Sequence, residues 1–505
     1  MINPMWRLEG LDAHQDTPVE ILHVVLLGMV KYFWRDVIKH QLKDKAPAKQ
    51  KLATRLSSFE PDGLGISRLR GDTLTQYAGS LVGRDFRAVV QAAPFVLKGM
   101  VSEPCYDTWV CLSKLVPLIW QPEIANIDVY LATLSNEIKQ FLLLTARWTG
   151  RWFNKPKFHI LVHLPEHVRR FGPAILFATE SFESFNAIIR AKSIHSNRQA
   201  PSRDIAIAFS QWNRLRHFAS GGYFIRLSPE NFESTRRRPG GDEEHPDRYK
   251  RPQFTADPEQ WKCAGPGVLG EVVAQAPVNQ YLGLVDTNFR EHKCEHDSSQ
   301  RSAKPYTELR MSQYHSTDAL RSRLWWSCRT CVLQDNYVCK VEDFVVVAGT
   351  HGKSLGKVIE IAQWSQDSTG DPDLLLIQTY NRSEGPGSPY GMPYLVGTPS
   401  YAVVPYSHVI CTVNTQHSCF ECKCEATAEE QVRQERRETT LTRKKIKHEE
   451  PLQKIVLNTA QMHASQHILP FRIPTQQLDR EATLRKSAEA IFSELTPQQR
   501  LAATA

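Results

Sequence analysis

The chain has 505 residues, 41% of them hydrophobic and 23% charged, and its 62 basic against 54 acidic residues leave a net charge of +8. Such a length exceeds the roughly 250–300 residues at which one hydrophobic core stops growing, so two or three folded units are expected, and so modest a charge permits nucleic-acid contact without demanding it. The longest apolar run, Ile21–Val30, is broken by His23 and is about half of what a bilayer span needs; with no leader-like start and eleven irregularly spaced cysteines, a membrane span and a secreted disulfide scaffold are excluded, which leaves cytosol or nucleus.

Taken in chain order, Asp16 or Thr17 caps a helix with Pro18 in its first turn. Ile21, Val24, Val25 and Leu27 fall on one face, so a buried helix is expected to continue to Ile38. Residues 41–150 carry helical periodicity, with breaks expected at Pro61-Asp62-Gly63, Pro94, Glu103-Pro104 and Gln121-Pro122. The clearest helix there is Ile127–Arg147, where Val129, Leu131, Leu134, Ile138, Phe141 and Leu142 share a face. In Thr179–Lys192, Phe182, Phe185 and Ile189 again recur at helical spacing. Residues 226–260, with Arg236–Arg238 and many Pro and Gly, read as a linker. Between about 320 and 415 the pattern turns strand-like, at Phe344–Val347, Gly356–Ile361, Leu374–Tyr380, Tyr401–Val404 and Val409–Val413, and predicts a small barrel or sandwich. Beyond Cys424 a charged tail with Arg443–Lys447 precedes an amphipathic stretch, Asp479–Leu501.

Two blocks say more than composition. The first runs Glu20-Ile21-Leu22-His23-Val24-Val25-Leu26-Leu27-Gly28. The second holds Lys155, His159, His163, Pro165, Arg170 and Phe171-Gly172-Pro173 and leads into Phe182-Glu183-Ser184-Phe185-Asn186. In wording and order they resemble CACTA-type (En/Spm-like) transposases, which carry an acidic-x-x-His-x-Leu-x-Leu-Gly helix, then a His-x-x-x-His-x-Pro block and a Phe-Glu-x-x-Asn helix. The likeness covers about residues 15–220.

The resemblance implies an RNase H-like fold in which three carboxylates hold two Mg²⁺ or Mn²⁺ ions for DNA cleavage and strand transfer, hard cations that prefer oxygen ligands. Glu183 matches the last acidic ligand. Glu20 matches the second, where the family usually carries Asp, and Asp16 one turn earlier competes with it. The first catalytic Asp of the family lies well upstream of this block, whereas 19 residues precede Glu20 here and Asp12 is on no strand pattern. That departure implies a degenerate enzyme, inactive alone. His23, His159, His163 and Asn186 would support the site; for the three histidines a hydrogen-bonded structural place competes with metal ligation.

Two further patterns lie outside that likeness. Cys328 and Cys331 with Cys339, and Cys419 and Cys422 with Cys424 and His417, offer Cys-x-x-Cys pairs of the kind that ligate zinc through soft thiolates. The pairs are 88 residues apart (419 minus 331) and would meet only through the fold; buried reduced thiols are the alternative. The strand-like segment more weakly resembles a bromo-adjacent homology module, a chromatin interaction domain. Arg236–Arg238 and Arg443, Lys444 and Lys445 would contact DNA phosphates or act in nuclear import, unless they are merely solvated.

The expected fold class is therefore α/β plus a separate β-rich domain. Residues 1–225 would form a truncated RNase H-like transposase core with a helical insertion at about 40–150. A linker at 226–320, a small β-barrel-like module at 321–424 and a polar helical or disordered tail at 425–505 would follow. The expected function is that of a transposon-derived nuclear protein whose partner is DNA, either transposon ends or chromatin; the alternative is a non-enzymatic chromatin or DNA-associated protein acting through the β-rich module.

Overall fold

The structure, a computed structural model, describes residues 9–12, 15–43, 45–194, 196, 199–219, 223–225, 261–263, 294–333, 337–349, 352–366, 373–383, 385, 387–431, 440–448 and 454–496. Arg236–Arg238 and the whole of the Pro- and Gly-rich stretch 226–260 lie outside the described residues, whereas 294–320 of the expected linker is described and carries the sheet strands Cys294–His296 and Lys304–Pro305. The chain divides into two compact units, residues 1–180 with 292–505 and residues 181–291.

In the first unit the expected N-terminal helix forms, but it begins at Leu22, beyond Pro18, and the Glu20 carboxylate rather than Asp16 or Thr17 accepts its first amides. Helix α1 is wound as a π-helix over Leu22–Val30, as an α-helix over Lys31–Asp36 and again as a π-helix over Val37–Gln41. Its first nine residues bury Leu22, Val24, Val25, Leu26, Gly28, Met29 and Val30, and a helix apolar nearly all round has to be enclosed by others. Helices α2 (Ala46–Ser57), α3 (Gly71–Gln76), α4 (Gly83–Leu97), α5 (Glu103–Ile119) and α6 (Ile127–Trp148) supply that enclosure. Phe33 of α1 sits among Trp148 and Trp152, each 5.0 Å away ring to ring, and Trp109, Phe141 and Phe158. Buried Trp34 directs its indole N–H to the Leu74 carbonyl at 2.9 Å. Pro94 does not break the chain as expected but lies inside α4, and Pro117 lies inside α5. Each stands within the last four residues of its helix, so one hydrogen bond is lost, and burial of Val89, Phe95 and Val96 around Pro94 outweighs that. Helices α7 (Pro156–Ile160) and α8 (Leu164–Phe171) complete this layer. Described residues 9–219 form helices and turns, so the strands of an RNase H-like sheet are not among them.

The second unit contains most of α9 (Glu180–Ile194) and α10 (Pro201–Ala219), with Phe185 and Phe209 6.2 Å apart, and a short antiparallel pair of β1 (Tyr223–Ile225) and β2 (Trp261–Cys263). The expected apolar face of α9 is largely open: Phe182 is 70% exposed and Ile189 is exposed as well.

The strand-like segment folds as one curled antiparallel sheet of eleven described strands. It is built from β3 (Cys294–His296), β4 (Lys304–Pro305), β5 (Leu324–Val332), β6 (Val338–Lys340), β7 (Phe344–Gly349), β8 (Gly352–Trp364), β9 (Leu374–Arg382), β10 (Tyr394–Pro405), β11 (Val409–Val413) and β12 (Thr415–His417), joined by a later strand. Curling follows from β8, which pairs with β7 along its first half and with β5 along its last four residues, while its other edge carries β9. A register shift between Val358 and Glu360 and another in β10 between Gly397 and Tyr401 mark the bends.

Two boundaries differ from the sequence reading. After Cys424 the chain does not remain a loose tail. A hairpin of β13 (Ala428–Gln431) and β14 (Thr442–Lys445) is followed by β15 (Ile455–Leu457), which inserts between β10 and β12. Fully buried amides then fasten the next turn: Asn458 donates to Asn414 Oδ1 at 2.8 Å, Gln461 to the Thr412 carbonyl at 3.0 Å, and Gln91 of α4 accepts the Met462 N–H at 2.9 Å. The terminal helix Arg480–Glu494 lies on α6, with Ser487 bonded to the Ala146 carbonyl. Nor is the sheet a separate body. Tyr390, Met392, Val456, Ala460 and Met462 belong to the same apolar cluster as α1, α4 and α5. Polar Asn, Gln and Thr positions carry no hydrophobic period, so a pattern reading takes them for solvent. No helix among the described residues is long and apolar enough to cross a membrane.

Candidate functional site

The two motif blocks meet. Around the N-terminus of α1, groups 134 to 159 residues apart in sequence are joined by direct hydrogen bonds. Arg170 of α8 pairs with Asp16 and with the Gln15 amide oxygen. His167 Nδ1 accepts the Val19 N–H at 3.0 Å, which places the proton of its neutral ring on Nε2. Lys157 of α7 donates to the His23 carbonyl at 2.7 Å, and its stem crosses α1 at Gly28, where a Cβ would come 2.9 Å from Lys157 Cδ and 2.7 Å from the His23 oxygen. The glycine of the motif is thus a point of close approach.

Glu20 works at the centre of this junction. One carboxylate oxygen accepts the N–H groups of Leu22 at 2.8 Å and Thr179 at 2.9 Å, and the other accepts the His23 N–H and contacts the His23 ring nitrogen, both at 2.7 Å. A helix leaves its first amides unpaired, and here a carboxylate supplies the acceptors. Partial burial pushes the Glu20 pKa up, but the amides of Thr179, His23 and Leu22 together with the His23 ring hold it below the ordinary glutamate range. Asp16 is likewise lowered, by the Asp12 amide first and by Arg170 second. The acids nearest the first motif are therefore ionised and engaged with backbone amides and Arg170.

Of the other expected residues, His159 of α7 and His163 of the 3-10 turn that leads into α8 face each other at 3.5 Å, and both are exposed. Glu183 and Asn186 are exposed on α9, in the second unit. Arg443, Lys444 and Lys445 lie on β14. Arg443 is paired with Glu430 at 2.9 Å, and Lys444 stands opposite Glu429, so part of this basic charge is answered by β13.

The cysteines separate into two environments. A register shift in β5 leaves Arg329 as an extra residue and turns both Cys328 and Cys331 inward. With Cys339, which is paired opposite Cys331, they are buried in an apolar cluster with Val345, Val358 and Ile361. The second group converges differently from the expected Cys419 and Cys422 pair. Cys422 is exposed. Lys423 adopts a left-handed backbone conformation at φ 52°, which turns Cys424 back toward Cys419. His417, Cys419, Cys424 and His448 bring one ligand atom each within 4.8 Å of all the others, the sole such group of three or more among the described residues. His448, beyond the hairpin, is the member that sequence reasoning missed; no spacing rule links it to residues 24 positions away, and only the hairpin brings it back. Burial, then His448 and Lys454, lower the His417 pKa to about 4, so its ring is neutral as a ligand must be.

A family model described as "Domain of unknown function (DUF8590)" matches residues 290–474, which hold the curled sheet and all four members of this cluster. No curated protein and no solved structure matches the chain.

Proposed function

We propose that this chain derives from a CACTA-type transposase and now serves as a DNA-associated nuclear protein without strand-transfer activity. One observation carries the reading: the two blocks that resemble the transposase motifs, over a hundred residues apart, meet at one junction, where Asp16, Val19, Glu20 and His23 bond to Arg170, His167, Thr179 and Lys157, although His159, His163, Glu183 and Asn186 stand outside it. Such reciprocity supports a shared ancestral RNase H-like framework, with the helices of 41–150 as the insertion. The carboxylates do not fit a two-metal site as they stand. Both Glu20 oxygens serve backbone amides, and Asp16 serves Arg170, whereas a two-metal centre needs carboxylates that bridge and face the ions. No catalytic step is derived from them. The curled sheet supports the second half of the reading, a bromo-adjacent-homology-like surface for chromatin.

The test uses the full chain, linear DNA bearing the terminal repeats of a related element, and Mn²⁺. Binding that weakens steeply with salt, with the DNA left intact, is expected. Metal-dependent nicking that Glu183→Ala abolishes would show an active enzyme and overturn the non-catalytic reading, and absence of binding even at low salt would remove the association with DNA.

A further inference from the structure

We propose that His417, Cys419, Cys424 and His448 bind one Zn²⁺ as a closed tetrahedral centre that locks the β13–β14 hairpin against helix α2. The distances match such a centre. Zinc bonds of about 2.3 Å to sulfur and about 2.0 Å to nitrogen, at tetrahedral angles, set the S···N edges at roughly 3.5 Å. Cys419 Sγ lies 3.5 Å from His417 Nδ1 and 3.1 Å from His448 Nε2, and Cys424 Sγ lies 3.5 Å from His417 Nδ1. Two thiolates and two imidazoles are the donor set that suits zinc rather than hard cations, and two thiolates balance its charge. All four residues are half-buried, so no position is left wide open for a substrate, as befits a structural ion.

The connectivity gives the ion a task. Three ligands precede the hairpin and the fourth follows it, so the metal closes the segment between Cys424 and His448. That segment also touches α2. Ile446 is buried and donates its N–H to Ser58 Oγ at 2.8 Å, and Glu430 of β13 faces Arg68 at 3.7 Å. A small cavity lined by Arg55, Ser58, Phe59, Ile446, Cys419 and His448 lies between them. Metal at the base of the hairpin therefore holds Arg443, Lys444 and Lys445 in a fixed place beside the helices. The inference stands on the ligand geometry and does not depend on transposase ancestry.

The full chain, produced with zinc and isolated under reducing conditions, is expected to carry one zinc ion per molecule by plasma mass spectrometry. Cobalt exchanged into it is expected to show the visible bands of a tetrahedral ion with thiolate charge transfer. Cys424→Ser and His448→Ala are expected to lose the ion, while Cys422→Ser keeps it. Because a ligand variant can misfold, the wild-type chain is also followed by hydrogen exchange with and without chelator: removal of zinc is expected to speed exchange in residues 425–448 well before that of α5 and α6. Zinc far below one per chain, an octahedral cobalt spectrum, loss of the ion in Cys422→Ser but not in Cys424→Ser, or exchange unchanged by chelation would each overturn the proposal.

Discussion

Replacing Glu20 with alanine separates a capping carboxylate from a metal ligand. In the structure the side chain satisfies the first amides of α1 and reaches across to the Thr179 amide. Loss of an N-terminal cap costs about 1 kcal/mol. Leaving the Thr179 N–H unpaired adds about 1 kcal/mol, a low value chosen because the Glu20 side chain is 21% exposed and water can partly replace it. The sum, about 2 kcal/mol, corresponds to roughly a 30-fold rise in local opening, at about 1.4 kcal/mol per tenfold. A chain of this size does not unfold in one step, so the proper assay is hydrogen exchange on peptides covering residues 19–30 and 174–182. Those peptides are expected to exchange faster in Glu20→Ala by about that factor, with α5 unchanged. The sign of the pH effect is also set. The folded pKa lies below the ordinary glutamate value of 4.5, so the contribution is present above that value and is lost as pH falls through the folded pKa. Unchanged protection in the variant, or protection in the wild type that appears only when Mn²⁺ is added, would refute the capping account.

Gly28→Ala is expected to lower the thermal midpoint, at a cost of about 1–3 kcal/mol, because its Cβ meets the His23 oxygen and the Lys157 stem inside 3 Å; a midpoint equal to wild type would show that α1 and α7 separate easily. At His167, burial first of all keeps the pKa below 6.5, so its acceptor bond to Val19 is present above pH 6.5 and lost as pH falls from there through the folded pKa. Exchange at the Val19 amide, corrected for its intrinsic rate, should quicken across that window in wild type and show no such pH dependence in His167→Phe. Cys331→Ala, in the apolar cluster of β5, is expected to lower stability by roughly 1–2 kcal/mol while leaving zinc content unchanged; loss of zinc would place the metal among the buried strands instead.

Much of the secondary structure was legible because its periods are strong. The apolar residues of α1 and the series from Leu131 to Phe141 in α6 are buried as their spacing predicts, although Val129, expected on the same face, is exposed, and the strands from Phe344 to Val413 occupy the expected runs. Pro94 misled because a proline near a helix end costs one bond, and the burial around it is not a local property. Segment 455–468 misled more. Its contribution is made by a few separated apolar residues and by Asn458, Gln461 and Ser465, whose value depends on acceptors contributed by α4, Asn414, strand β11 and α5.

By itself, then, the sequence determined the helices from α1 to α6 and the strands from Phe344 to Val413, though not β13, β14 or β15, since hydrophobic period and turn chemistry act between near neighbours. It also marked the two motif blocks, because residue types at fixed spacing survive as written. Only the tertiary structure decided what those residues do. Glu20 became a cap because Thr179 and His23 stand over it, Cys424 displaced Cys422 because Lys423 turns the backbone, and His448 joined the cluster because a hairpin returns it there. Each outcome depends on groups far apart in the chain, and a contact between such groups is set by how the intervening segments pack, which no local pattern encodes.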